Sequence, residues 1–433
     1  MSFSRRAFLD RTMKVGGLSA AVTLSSGGLE RILAASRDME GVPPEEAARD
    51  ELFWGQIQQA FQIDRSIINL NNGGVCPSPA VVHEAFKRYL DVQNMTPSLW
   101  MWRYLSPGKE MVRRRLAETV GCDPEEMAIT RNASEAMEIA QFGLEFEPGD
   151  EVITTDQDYP RMITTWRQRE LRDGIKLCQF PVPTPPGNKL ELARHFEQNI
   201  TPRTRAILMC HMVNITGQIY PVREVCDIAH RRGIPVLVDG AHAFGQTVFK
   251  MRDLDCDYYG TSLHKWLTAP IGTGFLFVKR DRIKDHWPLM AAADPKADNI
   301  RKFEEIGTHP AANINAINEA LVFYHAIGAQ RKAARLHYLK LRWAERLTRH
   351  DRVYLRCNLD PTESVGVATV GIEGIEPAAL VSHLWNKYRI HCIAIGHKDI
   401  RALRITPNVY TTPREIDMFT NAMEDVIKNG LPA

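Results

Sequence analysis

The middle of the chain alternates short apolar runs with segments of helical period, and this alternation is the feature that most limits the fold. Segments of helical period, such as Ser134 to Phe146 and Val222 to Arg231, lie between several of the runs. Strands that alternate with helices build a largely parallel sheet that is covered on both faces. We therefore predict an α/β fold whose buried strands are Met127 to Thr130, Glu151 to Thr155, Ala206 to Val213, Pro235 to Asp239, Tyr258 to Ser262 and Gly274 to Lys279.

The flanking segments predict a second, smaller unit. A length of 433 residues is comfortable for one large domain and one small one. We predict a polar N-terminal arm over 37–78, a large domain over 79–325, and a small α+β domain over 326–433 that the arm completes. In the large domain a helix should run from about Pro79 to Val92, and the small domain should begin with a long helix from Lys332 to Arg349.

The first 36 residues differ from the rest. Ser4-Arg5-Arg6-Ala7-Phe8-Leu9 precedes a mildly apolar stretch rich in Gly, Ala and Ser, as in a twin-arginine export signal. Such a signal predicts a periplasmic or exported enzyme, with cleavage near Ala34-Ala35-Ser36. Asp10 departs from the motif, and an amphipathic or disordered arm is the alternative interpretation.

Bulk properties exclude several other classes. A formal net charge of +2 gives no support to nucleic-acid binding. No apolar stretch approaches the roughly 20 residues that a membrane span requires. The eight cysteines form no C-x-x-C pair, so we predict neither a zinc site nor a thioredoxin-type site, and expect buried thiols rather than disulfides.

Ligands of open parallel sheets bind at the carboxyl ends of the strands, where two charged residues stand out. Asp239 closes the run Val236-Leu237-Val238, where a buried carboxylate needs a cation. A protonated pyridine ring would supply that cation, although a helix cap or a metal ligand is an equal alternative. Lys265 follows the next strand, where desolvation would lower its pKa and make it a nucleophile, whereas a lone lysine is more often solvated.

Two further positions have an ordinary interpretation when taken alone. Ala133 and Ser134 stand where a strand passes into a helix, which suits a phosphate but also suits a plain serine cap. Arg404 lies among apolar neighbours, which suits bidentate capture of a carboxylate but also suits a structural ion pair.

The combination resembles a known family. Asp239-Gly240-Ala241-His242, followed about two dozen residues later by Ser262-Leu263-His264-Lys265, resembles the class V aminotransferase family, which includes cysteine desulfurases, kynureninases and isopenicillin-N epimerases. The resemblance covers about Asn69 to Asp417. It implies a homodimeric fold-type I enzyme dependent on pyridoxal 5'-phosphate (PLP), with a large domain around a mainly parallel sheet and a smaller α+β domain.

The resemblance also assigns roles. Lys265 is implied to hold PLP as a Schiff base and then to act as general base, with Asp239 on the pyridine nitrogen and Arg404 on the substrate carboxylate. His242 and Asn214 are implied near the phenolic oxygen, and Tyr159 on the pyridine ring. The implied phosphate ligands are Ala133, Ser134, Ser262, His264 and, from the other subunit, Thr308.

The reaction stays open at this level. Desulfurases of the family carry a nucleophilic cysteine shortly before the carboxylate arginine, but 395–400 contains none, which disfavours persulfide chemistry. Within the family, the sequence pattern most resembles isopenicillin-N epimerase-like members. The segments that carry this resemblance include Asn69 to Gly74 and Trp100-Met101-Trp102. We expect a small-molecule amino acid or peptide as substrate, acted on by epimerisation or transamination, with Tyr159 and His242 as candidates for a second proton donor. The alternatives are a periplasmic enzyme that tailors a secreted peptide such as a siderophore, a C–S lyase or desulfurase, and a non-catalytic relative.

Overall fold

A seven-stranded sheet forms the centre of the protein in the computed structural model, which describes residues 26–185, 188–398 and 400–432. Its spatial order is Met127–Thr130, Gly274–Val278, Tyr258–Ser262, Val236–Asp239, Thr204–Cys210, Glu151–Thr155 and Lys176–Phe180. All neighbours are parallel except around Gly274–Val278, which runs antiparallel to both of its neighbours. The predicted α/β fold with a mainly parallel sheet is confirmed.

Both faces of this sheet are buried. Successive side chains of a strand point to opposite faces, so neighbouring residues report on the two faces in turn. Val236 and Val238 belong to one apolar cluster, whereas Leu237 between them belongs to another. The covering helices in this part of the chain are Ala80–Met95, Ser106–Val120, Ala133–Phe142, Pro160–Asp173, Lys189–Asn199, Val222–His230 and Ile317–Ile327. Shorter helical turns lie at Pro97–Leu99, Pro124–Glu126, Met251–Leu254, Arg280–Arg282, Ile300–Glu304 and Ala312–Asn315, and Trp100–Leu105 is π-helical.

A second sheet of four antiparallel strands follows in the C-terminal part. Its order is Ile393–His397, Ile400–Ile405, Ala368–Ile372 and Val353–Leu355. Val370 and Leu403 on one face join a separate apolar core with side chains such as Trp343 and Phe419. The helices of this part are Ala329–Leu347, Pro377–Tyr388 and Pro413–Asn429.

The N-terminal region is tied to the C-terminal part. The strand Ile68–Asn69 pairs in parallel with Ile390–His391, and Ile68 joins the second core. Ile32 packs into a further cluster with Phe323. The helices before this strand are Ser26–Asp38, Pro44–Ala47 and Glu51–Gln59.

The twin-arginine motif lies outside the described residues. Within the described ranges, no helix is long and apolar enough to span a bilayer. All eight cysteines are free, and six of them are buried.

Several predicted bounds need correction. The strand expected over Ala206 to Val213 starts at Thr204 and ends at Cys210, because His211 to Gly217 fold into a turn closed by the Gly217 amide on the Val213 carbonyl. The strand Lys176–Phe180 was not predicted, since it lies at the sheet edge and its first four residues are partly or fully exposed. Three helices also differ in their ends. The helix expected over Ser134 to Phe146 is Ala133–Phe142, and the one expected over Pro79 to Val92 is Ala80–Met95. The helix expected over Lys332 to Arg349 is Ala329–Leu347.

Candidate active site

Asp239 and Lys265 meet where two adjacent strands of the large sheet end. Asp239 is only 4% exposed, and its Oδ1 accepts one hydrogen bond, from the Ala241 amide at 2.9 Å. Burial raises the pKa of Asp239 to about 6. Burial also lowers the pKa of Lys265 to about 8, although the nearby Asp239 carboxylate opposes this shift. The pair is therefore a desolvated amine beside a desolvated carboxyl group, and burial shifts the pKa of each in the direction that favours its neutral form.

Two predicted side chains, His242 and Tyr159, lie near the Lys265 amine, and a third, Asn214, follows the strand Thr204–Cys210. His242 Nε2 lies 3.3 Å from Lys265 Nζ, and burial together with the Lys265 charge holds the pKa of His242 well below its ordinary value. The imidazole is thus neutral. The Tyr159 ring, 40% exposed, has its centroid 5.9 Å from the same Nζ. Asn214 stands in the turn after the neighbouring strand, and its Oδ1 is buried without a protein partner.

Three of the predicted phosphate-binding residues, Ala133, Ser134 and Ser262, lie together at the start of the helix Ala133–Phe142. The Asn132 side chain caps this helix by accepting from the Glu135 amide at 2.9 Å. Ser262 Oγ accepts from the Ala133 amide at 2.9 Å, which joins the helix to the strand before Lys265. Ser134 is half-buried in the first turn. Amide groups and hydroxyls at a helix N-terminus favour an anion.

His264 lies next to Lys265 in the chain and is also largely buried. Its Nδ1 has no protein partner, and burial lowers the pKa of the ring to about 4. Its carbonyl accepts from the Cys76 amide at 3.0 Å. This bond holds the His264 backbone, and among the described residues the ring Nδ1 has no partner.

Arg404 approaches this group from the second sheet. Its Nη1 donates to the Asn214 carbonyl at 3.1 Å, and its Nη2 donates to Asn71 Oδ1 at 3.0 Å. The residue is 6% exposed, Nε is buried without a partner, and burial lowers the pKa of the guanidinium to about 10. No carboxylate of the described residues lies within 4.0 Å of it, so the alternative of a structural ion pair is not realised.

Thr308 is the one predicted ligand that stands apart. It is exposed in a bend after the short helix Ile300–Glu304, and no hydrogen bond among the described residues joins it to the group around Lys265.

The sequence interpretation missed residues of the N-terminal arm. Asn71 binds Arg404, and Gly73 sits so close that an added Cβ would lie 3.2 Å from His242 Cε1 and 3.1 Å from Thr406 Cγ2. The turn signal Asn71-Asn72-Gly73-Gly74 marked this segment, but nothing local indicated that it would lie against Arg404.

The unused polar atoms of this cleft fit PLP. His242 Nδ1, His264 Nδ1, Asn214 Oδ1 and Arg404 Nε are all buried and have no hydrogen-bond partner among the described residues. Buried polar atoms are nearly always paired, so a polar ligand is expected to satisfy them. The start of the helix Ala133–Phe142 suits the phosphate, and the buried Asp239 carboxylate suits a protonated pyridine nitrogen.

A family model described as aminotransferase class-V matches residues 68–419. The chain belongs to the class V aminotransferase family. Isopenicillin N epimerase from Streptomyces clavuligerus is 29% identical over 391 residues, which cover 86% of this chain and 98% of that protein. A probable cysteine desulfurase from Halobacterium salinarum is 28% identical over 392 residues, covering 83% of this chain and 91% of that protein.

Solved structures agree on the fold of this class V chain. The cysteine desulfurase CsdA from Escherichia coli superimposes with a TM-score of 0.76 at 20% identity, covering 87% of this chain and 98% of that one. The cystine C-S lyase C-DES, in complex with cysteine persulfide, gives 0.75 at 23% identity, covering 84% and 98%. The predicted fold-type I architecture and the predicted cofactor, PLP, are confirmed.

Proposed function

We propose that this enzyme acts at the Cα of an amino acid or peptide substrate, as an isopenicillin-N epimerase-like enzyme or as an aminotransferase. The observation that carries the proposal is the placement of Lys265 in one buried cleft with Asp239 and the carboxylate-free Arg404. The relatives at 29% and 28% identity that are named isopenicillin N epimerase support the first form.

Each residue of the cleft has a defined task in this proposal. Bound PLP supplies the electron sink that stabilises negative charge at Cα. Asp239 holds the protonated ring nitrogen, and Lys265 removes or returns the Cα proton because its lowered pKa leaves part of it neutral near neutral pH. Arg404 orients the substrate carboxylate through its free guanidinium donors.

Epimerisation and transamination differ in where the proton returns. Epimerisation needs a second proton donor on the opposite side of Cα from Lys265, and Tyr159 is our candidate because its ring faces the cleft and is partly exposed. Running the reaction in D2O with each enantiomer of a substrate separates the two. Deuterium at Cα of an inverted product supports epimerisation, whereas a keto acid supports transamination.

Persulfide chemistry is not part of the proposal. Cys392 is the nearest cysteine to the hairpin that carries Arg404, but it is 2% exposed and burial raises the pKa of its thiol to about 12. A buried thiol of high pKa is a poor nucleophile.

The central experiment maps the lysine that carries the cofactor. We expect a yellow protein whose borohydride-reduced adduct maps to Lys265. Lys332 and Lys340 are matched internal controls, because burial lowers the pKa of each to about 8, as it does for Lys265. Lys265→Ala should abolish the adduct and turnover. A colourless protein that stays unmodified after PLP is added, or an adduct on Lys332 or Lys340, would refute the proposal.

The proposal includes a homodimer in which Thr308 reaches the partner's phosphate site. Asn315 ties the segment that follows Thr308 to the π-helical turn by donating to the Leu105 carbonyl at 2.9 Å. Trp102 in that turn is 60% exposed, and such surface apolar area favours a protein contact. Sedimentation of the protein should give a dimer. Thr308→Ala should weaken PLP affinity without changing the dimer, and a monomer with full activity would contradict this part.

The proposal also includes export to the periplasm, where the enzyme would tailor a secreted peptide. Support comes from the Arg5-Arg6 motif alone. Cell fractionation is the test: the chain should appear in the periplasm, and replacing both arginines by lysine should retain it in the cytoplasm. If the wild type and the lysine variant are distributed in the same way between periplasm and cytoplasm, this part of the proposal is refuted.

A further inference from the structure

A row of three polar side chains crosses the second sheet beside the cofactor cleft. Directly opposed residues of antiparallel strands point to the same face. Thr369 is opposite Arg404 in the strand register. Arg356 is opposite Thr369 on the other side, since its amide donates to the Thr369 carbonyl at 3.0 Å and the adjacent pair is Leu355 with Val370. The three side chains therefore share one face.

This face points toward the large domain. Arg404 donates to the Asn214 carbonyl, Thr369 Oγ1 donates to the Ile215 carbonyl, and Arg356 Nη1 lies 3.4 Å from the Thr184 carbonyl. The opposite face carries Leu355, Val370 and Leu403, which belong to the second apolar core. Both guanidinium groups thus project into the same gap between the sheets.

Thr184 connects the Arg356 end of this gap to the active site. Gln157 Nε2 donates to Thr184 Oγ1 at 2.7 Å and to the Val182 carbonyl at 3.1 Å. Gln157 is two residues before Tyr159, whose ring faces Lys265. Arg356 therefore stands beside the loop that carries Tyr159.

Arg356 has an incomplete set of partners. Its Nε is buried with no hydrogen-bond partner among the described residues, and its contact with Thr184 is at the long limit of a hydrogen bond. In the described part of the chain no carboxylate lies within 4.0 Å of it, whereas Lys398, which follows the strand Ile393–His397, is paired with Asp156 at 2.5 Å. Arg356 Cζ lies over the Tyr354 ring, 5.0 Å from its centroid, and this cation–π contact helps to hold the guanidinium. Arg356 is thus a held but unneutralised cation.

We propose that Arg356 binds a second anionic group of the substrate while Arg404 binds the α-carboxylate. The substrate class is then an α-amino acid, free or at the end of a peptide, that carries a carboxylate or similar anion farther along its side chain. Two strand spacings separate the Cα atoms of the arginines, which is about 10 Å. Their long side chains can converge on two carboxylates separated by a few methylene groups. This inference rests on the proposed function, since it assumes an amine substrate at Lys265.

The experiment measures binding by the change in cofactor absorbance of the holoenzyme. L-Aspartate, L-glutamate and L-2-aminoadipate are each titrated against their own side-chain amides, which differ mainly in charge. For at least one pair the acid should bind about tenfold or more tightly than the amide, as expected for a hydrogen bond to a charged group. Arg356→Gln should remove this preference by weakening acid binding alone, and Arg356→Lys should restore part of it.

Two controls separate the explanations. Arg401→Gln changes an arginine of the same sheet that is paired with Glu376 instead, and it should leave the preference intact. Arg404→Gln should weaken acid and amide alike. The inference is overturned if no pair shows an acid preference, or if Arg356→Gln weakens both members equally, as a purely structural tie to Thr184 would. If no amino acid of either kind changes the absorbance, this inference fails together with the proposed action on a free amino acid.

Discussion

Asp239→Asn should stabilise the cofactor-free protein while it removes turnover. The pKa of Asp239 rises from 3.8 to about 6 in the folded protein because of burial. A difference of about two pKa units corresponds to about 3 kcal/mol of unfolding free energy. The ionised carboxylate causes this loss of stability, because it is buried and, among the described residues, accepts one hydrogen bond, from the Ala241 amide at 2.9 Å. Asparagine has nearly the same shape and carries no charge, so it avoids the cost.

The raised pKa of Asp239 makes the stability difference between the variant and the wild type depend on pH. Because the folded pKa is raised, the folded protein holds its proton more tightly than the unfolded chain, and ionisation destabilises the fold as pH rises from about 4 to above 6. We expect Asp239→Asn to exceed the wild type by up to about 3 kcal/mol at pH 7.5 and by roughly half of that at pH 5. Urea unfolding of both cofactor-free proteins at the two pH values measures this directly.

The control is Asp253→Asn, a substitution of an exposed aspartate that should change stability by less than about 0.5 kcal/mol at either pH. The holoenzyme of Asp239→Asn should bind PLP yet turn over substrate far more slowly, since the ring nitrogen loses its carboxylate. A variant no more stable than the wild type at pH 7.5, or a difference that does not change with pH, would refute the reasoning.

Three further predictions use other parts of the site. Asn132→Ala removes the cap on the Glu135 amide, so it should cost about 1 kcal/mol in urea unfolding and weaken PLP in a titration of the cofactor-free protein; unchanged PLP affinity would contradict the phosphate assignment. Gly73→Ala places a Cβ 3.2 Å from His242, so substrate KM should rise with little loss of urea stability, and an unchanged KM would show that this turn does not border the substrate. Lys332→Met removes a buried amine whose pKa is lowered to about 8, so it should stabilise the protein by up to about 3 kcal/mol at pH 7; the gain should shrink above pH 8, where the folded lysine loses its proton, and a gain that persists at pH 10 would argue against this cause.

The predicted strand ends were accurate where a strand is buried on both faces. Met127–Thr130, Glu151–Thr155 and Tyr258–Ser262 have the predicted bounds, because each of these strands is followed directly by a bend or a turn. The direction of Gly274–Val278 was not predictable, since a uniformly apolar run looks the same in a parallel or an antiparallel position.

The same reasoning explains which residues of the site could be predicted from the sequence. Asp239 and Lys265 could be found because both follow strands that end at one edge of the sheet. Gly73 and Arg356 could not, because each reaches the cleft through pairing with a distant segment. Arg356 acquires its direction only from its pairing with Thr369, and no local pattern specifies that register.

The contact between Asn71 and Arg404 has a consequence for biosynthesis. These residues are 333 positions apart, and the strand next to Asn71 pairs with one near the C-terminus. At ordinary ribosomal rates the carboxylate-binding end of the cleft must wait roughly 20 to 60 s after Asn71 is made. The residues around PLP, from Asn132 to Lys265, emerge well before that time. The nascent chain can therefore acquire its cofactor cradle before it acquires the ability to select a substrate.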